Sequence, residues 1–355
     1  MVQTSCRVSL YENSSEDTNV ILNMSVVAKG STVLVTGANG YIAGHVCDQL
    51  LQAGYKVRGT VRSHEKGKWM YELFDKKYGS GQFEAVEVPD MVADGAFDSA
   101  VKGVSGICHV ASVLTFSNKA DEVIPPVVKG TLSVLTSATK EAGIKSFVLT
   151  SSSTAALMPV PNKEIIVTKD SWNDESVKQA YESKEPDGFV VYGASKSEGE
   201  RALWKAVKQT NPPFQVASVL PNLNIGEILQ PGGAMSASTG SWVPKLYQGD
   251  KEPLYFPPQW YIDVQDTARL HVAALIDPSC NGERIFGFAK PYYWNEILAI
   301  LRKNFPQKQF PEDINPDKDL SKAPNEDAEA LLQKHFGKTW SGLEETVLRN
   351  LAQLV

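Results

Sequence analysis

The chain has 355 residues, with 35 Lys and Arg against 41 Asp and Glu, a net charge of −6 and 42% hydrophobic residues. That apolar share excludes disorder as a description of the whole chain, and the acidic balance excludes the basic face a nucleic-acid or anionic-membrane partner requires. No apolar stretch approaches the roughly 18 residues of a membrane span, and the length fits one large domain or two smaller ones.

Residues 2–23 are polar and rich in Ser and Asn, and a second methionine, Met24, follows them. They lack a basic start, an apolar stretch and a small-residue cleavage site, so they read as a flexible extension or as sequence upstream of the true start, not as a secretory signal. Cys6, Cys47, Cys108 and Cys280 are scattered, without the spacing of a disulfide framework or zinc site. Cys47 and Cys108 fall in apolar patterns and read as buried thiols. The cytosol is the expected compartment.

At Ser31 the texture changes. A β-branched run over 32–36 is followed by a Gly-rich turn, an amphipathic stretch over 41–53 and a second apolar run over 56–61. This is a strand, turn, helix, strand unit. Further strands are expected at 83–88, 106–111, 146–151 and 215–220, with helices around 122–142 and 192–210. Such alternation implies the α/β class, with a doubly wound parallel sheet and a ligand crevice at the carboxyl ends of its strands. Residues 223–260 are rich in Gly, Pro, Ser and aromatics, and helices are expected at 264–275, 294–305, 326–336 and 342–354. Residues 311–324 read as a charged surface loop. The expected division is an extension over 1–29, a nucleotide-binding domain over 30–222 to which the chain returns around 261–285, and a smaller substrate lobe over 223–355.

Gly37, Asn39, Gly40, Tyr41, Ile42 and Ala43 lie on the turn that opens the first helix. Gly37 permits the tight turn, Gly40 lets backbone approach a pyrophosphate, and the helix N-terminus favours an anion. An NAD site usually carries Asp or Glu at the end of the second strand. Here Val61 is followed by Arg62, with Lys66 four residues on, and no acid precedes Glu65. A guanidinium suits a 2′-phosphate that a carboxylate would repel, so NADP(H) is the expected cofactor. The plain alternative is two exposed cations on a solvated loop.

Tyr192 and Lys196 stand four apart on a helix and share a face. A phenol of pKa near 10 is a poor acid or base at neutral pH. A nearby ammonium would favour phenolate and bring that value toward neutrality. A hydroxyl from Thr150, Ser151, Ser152 or Ser153 at the end of the fifth strand could bind a carbonyl oxygen. None of the five histidines sits at metal-ligand spacing, so no metal is expected. The charged run around Lys163, Glu164, Lys169 and Asp170 reads as a solvated face.

Together these motifs resemble the extended short-chain dehydrogenases/reductases. So do Asp90 and Met91 after the third strand, His109 to Ser112 after the fourth, and Leu220 to Asn222 after the sixth. The resemblance covers about residues 30–350. It is nearest to fungal NADPH-dependent aldehyde and ketone reductases, relatives of dihydroflavonol and cinnamoyl-CoA reductases, through residues 112–118 and 257–260. It implies a Rossmann-type fold with a smaller C-terminal α/β substrate lobe. Position by position, it makes Ser152, Tyr192 and Lys196 catalytic, with Tyr192 the proton donor. Arg62 and Lys66 fall on the 2′-phosphate pair, Asp90 and Met91 on adenine contacts, and Ala111, Thr150 and Pro221 along the cofactor. Val113, Phe116, Asn222, Trp242, Tyr247, Gln259 and Trp260 are the expected substrate pocket for bulky apolar carbonyl compounds, in a monomer or homodimer. The alternatives are a dihydroflavonol, cinnamoyl-CoA or hydroxysteroid type of dehydrogenase, a nucleotide-sugar epimerase, or a non-enzymatic NADP-sensing protein. Arg62 disfavours the epimerase, and retention of the Tyr/Lys pair disfavours the sensor.

Overall fold

The computed structural model describes residues 25–314 and 317–355. The expected extension over 1–29 lies outside that range up to residue 24; its last residues are not an extension, since Val27 is buried in the core and Val26 N–H donates to Ile276 O at 2.9 Å. The elements in order are β1 (Thr32–Val35), α1 (Tyr41–Gln52), β2 (Lys56–Val61), α2 (His64–Tyr78), β3 (Phe83–Glu87), β4 (Gly106–His109), α3 (Ala120–Thr139), β5 (Ser146–Thr150), α4 (Asp174–Glu182), α5 (Gly188–Thr210), β6 (Gln215–Pro221) and β7 (Leu223–Ile225). There follow α6 (Trp242–Tyr247), β8 (Gln259–Asp263), α7 (Val264–Ile276), β9 (Arg284–Gly287), β10 (Lys290–Tyr292), α8 (Trp294–Asn304), α9 (Glu326–Phe336) and α10 (Leu343–Asn350).

The large sheet runs β3-β2-β1-β4-β5-β6-β9 and is parallel throughout. This is the doubly wound α/β fold expected from the sequence. Strand alternation decides which helix covers which face. Val33, Val35, Cys108, Val148 and Val219 point to the layer built by α1, α2, α7 and α9. Leu34, Ile107, Phe147, Leu149 and Val216 point to the layer of α3 and α5. β4, β5 and β6 are buried along their whole length, so they read as continuous apolar runs. The order reverses between β1 and β4, which opens a crevice at their carboxyl ends.

A second sheet, β10-β8-β7, pairs β7 with β8 in parallel and β8 with β10 antiparallel. It has its own core, centred on Ile225, Tyr261, Tyr292 and Ile297. The expected surface loop at 311–324 is corrected in part. Its backbone pairs with 162–167 through Val167 N–H to Lys322 O and Lys322 N–H to Ile165 O, at 2.8 Å each. Asp319 and Ser321 are buried, with Asp319 Oδ1 accepting the Ser321 N–H at 2.7 Å and Ser321 Oγ accepting the Trp260 N–H at 2.9 Å. No helix among the described residues is long and apolar enough to cross a membrane.

Two buried histidines give the fold an acid liability. Burial, with Lys196 adding to it, lowers the His109 pKa to about 3, and burial lowers that of His271 to about 4. The unfolded chain takes up these protons near pH 6.5, whereas the folded chain resists them to about pH 4 and 3. Their contribution is therefore whole above pH 6.5 and is lost as pH falls toward 4. The urea midpoint is expected to drop across that window, and less steeply in His271→Gln. Equal slopes would contradict this.

Candidate active site

The crevice is built where β1 meets β4. The Thr36 hydroxyl accepts the N–H groups of Val110 and Ala111 at 3.0 Å each and meets His109 Nδ1 at 2.8 Å. Gly37 has φ +63°, and a Cβ there would stand 3.0 Å from the Ala111 Cβ. Glycine is required for both conformation and space. Gly37 N–H donates to Thr60 Oγ1 at 3.0 Å, and Gly40 N–H to Gly37 O at 2.8 Å. Gly40 offers α1 no side-chain cap, so the first-turn N–H groups beside Asn39, Tyr41 and Ile42 open on the crevice as an anion site. The Tyr41 hydroxyl turns away and donates to Gly226 O at 3.0 Å.

Arg62 and Lys66 line the same crevice. Neither has a carboxylate partner among the described residues. Glu65 is taken by Lys68 at 2.5 Å, and Glu87 accepts the His64 N–H at 2.6 Å. Tight glycine loop, uncapped helix and two available cations together fit a dinucleotide with a 2′-phosphate. Val88, Pro89, Met91 and Ala111 complete the walls. Asp90 stands between the lining residues Pro89 and Met91, and its carboxylate accepts the Val92 N–H at 3.0 Å.

Asp187 starts α5 by accepting the Phe189 N–H at 2.7 Å. Tyr192 and Lys196 follow on its inner face. Lys196 Nζ donates to Thr150 O at 3.3 Å, and burial, opposed by Glu200, lowers its pKa to about 8. Beyond β5 the hydroxyls sort themselves by partner. Thr150 Oγ1 meets His271 Nε2 at 2.6 Å, and Ser151 Oγ donates to Glu200 Oε2 at 2.8 Å. Ser152 accepts from Thr154 N–H at 3.2 Å and from Thr154 Oγ1 at 2.9 Å, and it faces Tyr192. The phenol differs from expectation: burial raises its pKa, countered by the Ser152 hydroxyl. Aromatic neighbours desolvate the phenolate, and Lys196 is turned to a carbonyl.

Those neighbours form one wall. Phe116 lies 5.1 Å from Tyr192 between ring centroids, and Phe189 stacks on it at 5.9 Å and 12°. Phe189 meets Phe256 at 6.4 Å, and Phe256 stacks on Trp242 at 4.2 Å. Phe116 has φ +48°; its carbonyl sits so close to α5 that a Cβ on Gly188 would stand 2.3 Å away. Phe189 and Phe256 were not anticipated from the sequence, although Phe189 lies three residues before Tyr192 and so on the same helix face. Val113 is partly buried beside Phe116 in chain order.

Other expected pocket residues are spent elsewhere. Tyr247 packs on Phe305 at 4.9 Å and Phe310 at 6.3 Å, under Lys308. Trp260 donates to Ser321 Oγ at 2.9 Å and packs on Phe288 at 5.7 Å. Gln259 is buried, with Nε2 3.5 Å from Pro257 O. Tyr247 packs against the core of the smaller sheet, whereas Trp260 packs with Leu220, Phe286 and Ala155–Leu157 beside the large sheet. Asn222 Oδ1 accepts the Leu223 N–H at 2.8 Å, and Pro221 is buried at the end of β6.

The sheet order, glycine loop and Tyr/Lys face define a nucleotide-binding enzyme of the short-chain dehydrogenase/reductase class. Residues 33–285 match the NAD dependent epimerase/dehydratase family, and the chain belongs to that family, the extended branch of the class. The chain is similar to Aldehyde reductase 2 of Sporidiobolus salmonicolor, 42% identical over 334 residues that cover 92% of this chain and 96% of the relative. It is 41% identical over 336 residues to Ketoreductase adrE of Penicillium rubens, covering 92% and 98% respectively. The crystal structure of yeast methylglyoxal/isovaleraldehyde reductase Gre2 complexed with NADPH matches with a TM-score of 0.79 at 27% identity, covering 91% of this chain and 98% of that one.

Proposed function

We propose that this protein reduces hydrophobic aldehydes, ketones and ketoesters to alcohols with NADPH, with Tyr192 as proton donor. What supports the reading is the Ser152 hydroxyl bonded to Tyr192, with Lys196 one turn on along α5 held to the Thr150 carbonyl at the end of β5, and Arg62 and Lys66 lining the crevice beyond β1 and β2. NADPH, when bound, supplies the hydride. The first turn of α1 and the Arg62/Lys66 pair hold its phosphates. Ser152 and Tyr192 offer two hydroxyls to one carbonyl oxygen, and the phenol, raised above its ordinary pKa, still carries its proton at neutral pH. Lys196, one turn on along α5 and held to the Thr150 carbonyl, carries positive charge at neutral pH. The wall of Phe116, Phe189, Phe256 and Trp242 excludes water and favours apolar substituents over sugar nucleotides. In this reading residues 30–222 hold the cofactor and 223–355 shape substrate choice, in a cytosolic monomer or homodimer.

NADPH oxidation with a panel of aromatic aldehydes, activated ketones and ketoesters tests the reading; turnover at background across the panel would reject it. Lys196 adds a pH signature. Its ammonium is lost as pH rises through about 8, so kcat/KM for reduction is expected to fall on that side. A flat profile to pH 10 would remove Lys196 from the mechanism.

A further inference from the structure

Beneath the catalytic face lies a buried ion pair that the mechanism has not used. Glu200 is one helical turn beyond Lys196 on α5 and wholly buried. Its carboxylate accepts Ser151 Oγ at 2.8 Å, Ser218 Oγ at 2.7 Å and Trp204 Nε1 at 3.2 Å. Arg284 of β9 adds Nε at 2.9 Å and Nη2 at 3.1 Å. Arg284 is itself held by the carbonyls of Lys169 at 2.9 Å and Ser171 at 2.6 Å, and it lies over the Trp172 ring at 4.0 Å. One carboxylate thus ties α5 to β5, β6 and β9.

A buried pair of this kind is weak evidence for stability, because apolar residues of similar volume often serve as well. Its contacts point to another use. Ser151 adjoins Ser152, and its bond to Glu200 turns its hydroxyl away from the crevice. Lys196 is faced by Glu200 and Tyr192 from its own helix, by His109 from β4 and by the Thr150 carbonyl from β5. His271 of α7 stands behind the Thr150 hydroxyl.

We propose that Glu200, held by Arg284, is a positioning residue for proton transfer: it fixes Ser151 so that Ser152 alone meets Tyr192, and it places a negative charge one turn from the Lys196 ammonium. The inference rests on the reductase reading. Glu200→Gln keeps the shape and removes the charge that holds the Lys196 pKa up. It is expected to lower kcat about tenfold, leave NADPH affinity within about twofold and move the alkaline limb of kcat down by about one pH unit. Glu200→Leu combined with Arg284→Met removes both charges together, so neither is left buried without its partner. It is expected to show the same displaced limb and low kcat in a folded protein whose Tm falls because Ser151, Ser218 and Trp204 lose their acceptor. A merely structural role would change Tm and leave the limb in place. Either variant, folded, with wild-type kcat and an unmoved limb overturns the proposal. A wild-type protein that oxidises no NADPH with any carbonyl compound overturns the reductase reading and this inference with it.

Discussion

Tyr192→Phe is expected to lower kcat for carbonyl reduction by about 10²–10⁴-fold while NADPH binds as before. The substitution removes one oxygen. The phenyl ring keeps its stack on Phe189 and its contact with Phe116, so the wall and the helix face stay in place. What is lost is the proton that neutralises an alkoxide forming in a water-poor site. Ser152 cannot replace it, because a hydroxyl held by Thr154 donates one hydrogen bond but has no ammonium behind it. Steady-state kcat and a fluorescence titration of NADPH separate the two effects. Retention of more than a tenth of the activity would remove Tyr192 from the proton-donor role.

Arg62→Ala is expected to raise the NADPH Kd roughly thirtyfold and to leave the NADH Kd within about twofold. Charge-assisted hydrogen bonds contribute about 1.5–3 kcal/mol each. Arg62 lies exposed at the mouth of the crevice, so about 2 kcal/mol is the expected loss, and each 1.4 kcal/mol is tenfold. Lys66→Ala is expected to cost less, since an ammonium binds phosphate as a point charge without the planar fork. Equal losses for both cofactors would mean that Arg62 acts on the fold and not on the 2′-phosphate.

The features legible in the sequence are those that local chain geometry determines. β1, the glycine loop, α1 and β2 form one contiguous unit, and Tyr192 and Lys196 are set together by helical spacing alone. α2 is not legible in the sequence because its charges run nearly all round, leaving Gly67, Met70 and Phe74 as its buried stripe. β7 and β10 have three residues each, the latter containing Pro291, too short for an alternation to show. Patterning alone leaves Thr150, Ser151, Ser152 and Ser153 undivided, and only the family resemblance picks Ser152. The physical reason lies far off in the chain: Thr150 and Ser151 are claimed by His271 and Glu200, 121 and 49 residues away. Tyr247 and Trp260 carry the residue type of a pocket wall, but Phe305, Phe310 and Ser321 claim them once the smaller sheet folds. The rise in the Tyr192 pKa likewise depends on Phe116 and Phe189 closing round the phenol, which spacing to Lys196 does not reveal.

The central claim is hydride transfer from NADPH to a carbonyl carbon in the crevice beside Tyr192. Reduction of an aromatic aldehyde with NADPH deuterated at both C4 positions of the nicotinamide tests it most directly, by mass spectrometry of the alcohol. One deuterium on the carbinol carbon per NADPH consumed is the expected result. Alcohol formed without the label, or NADPH consumed without alcohol, would contradict it.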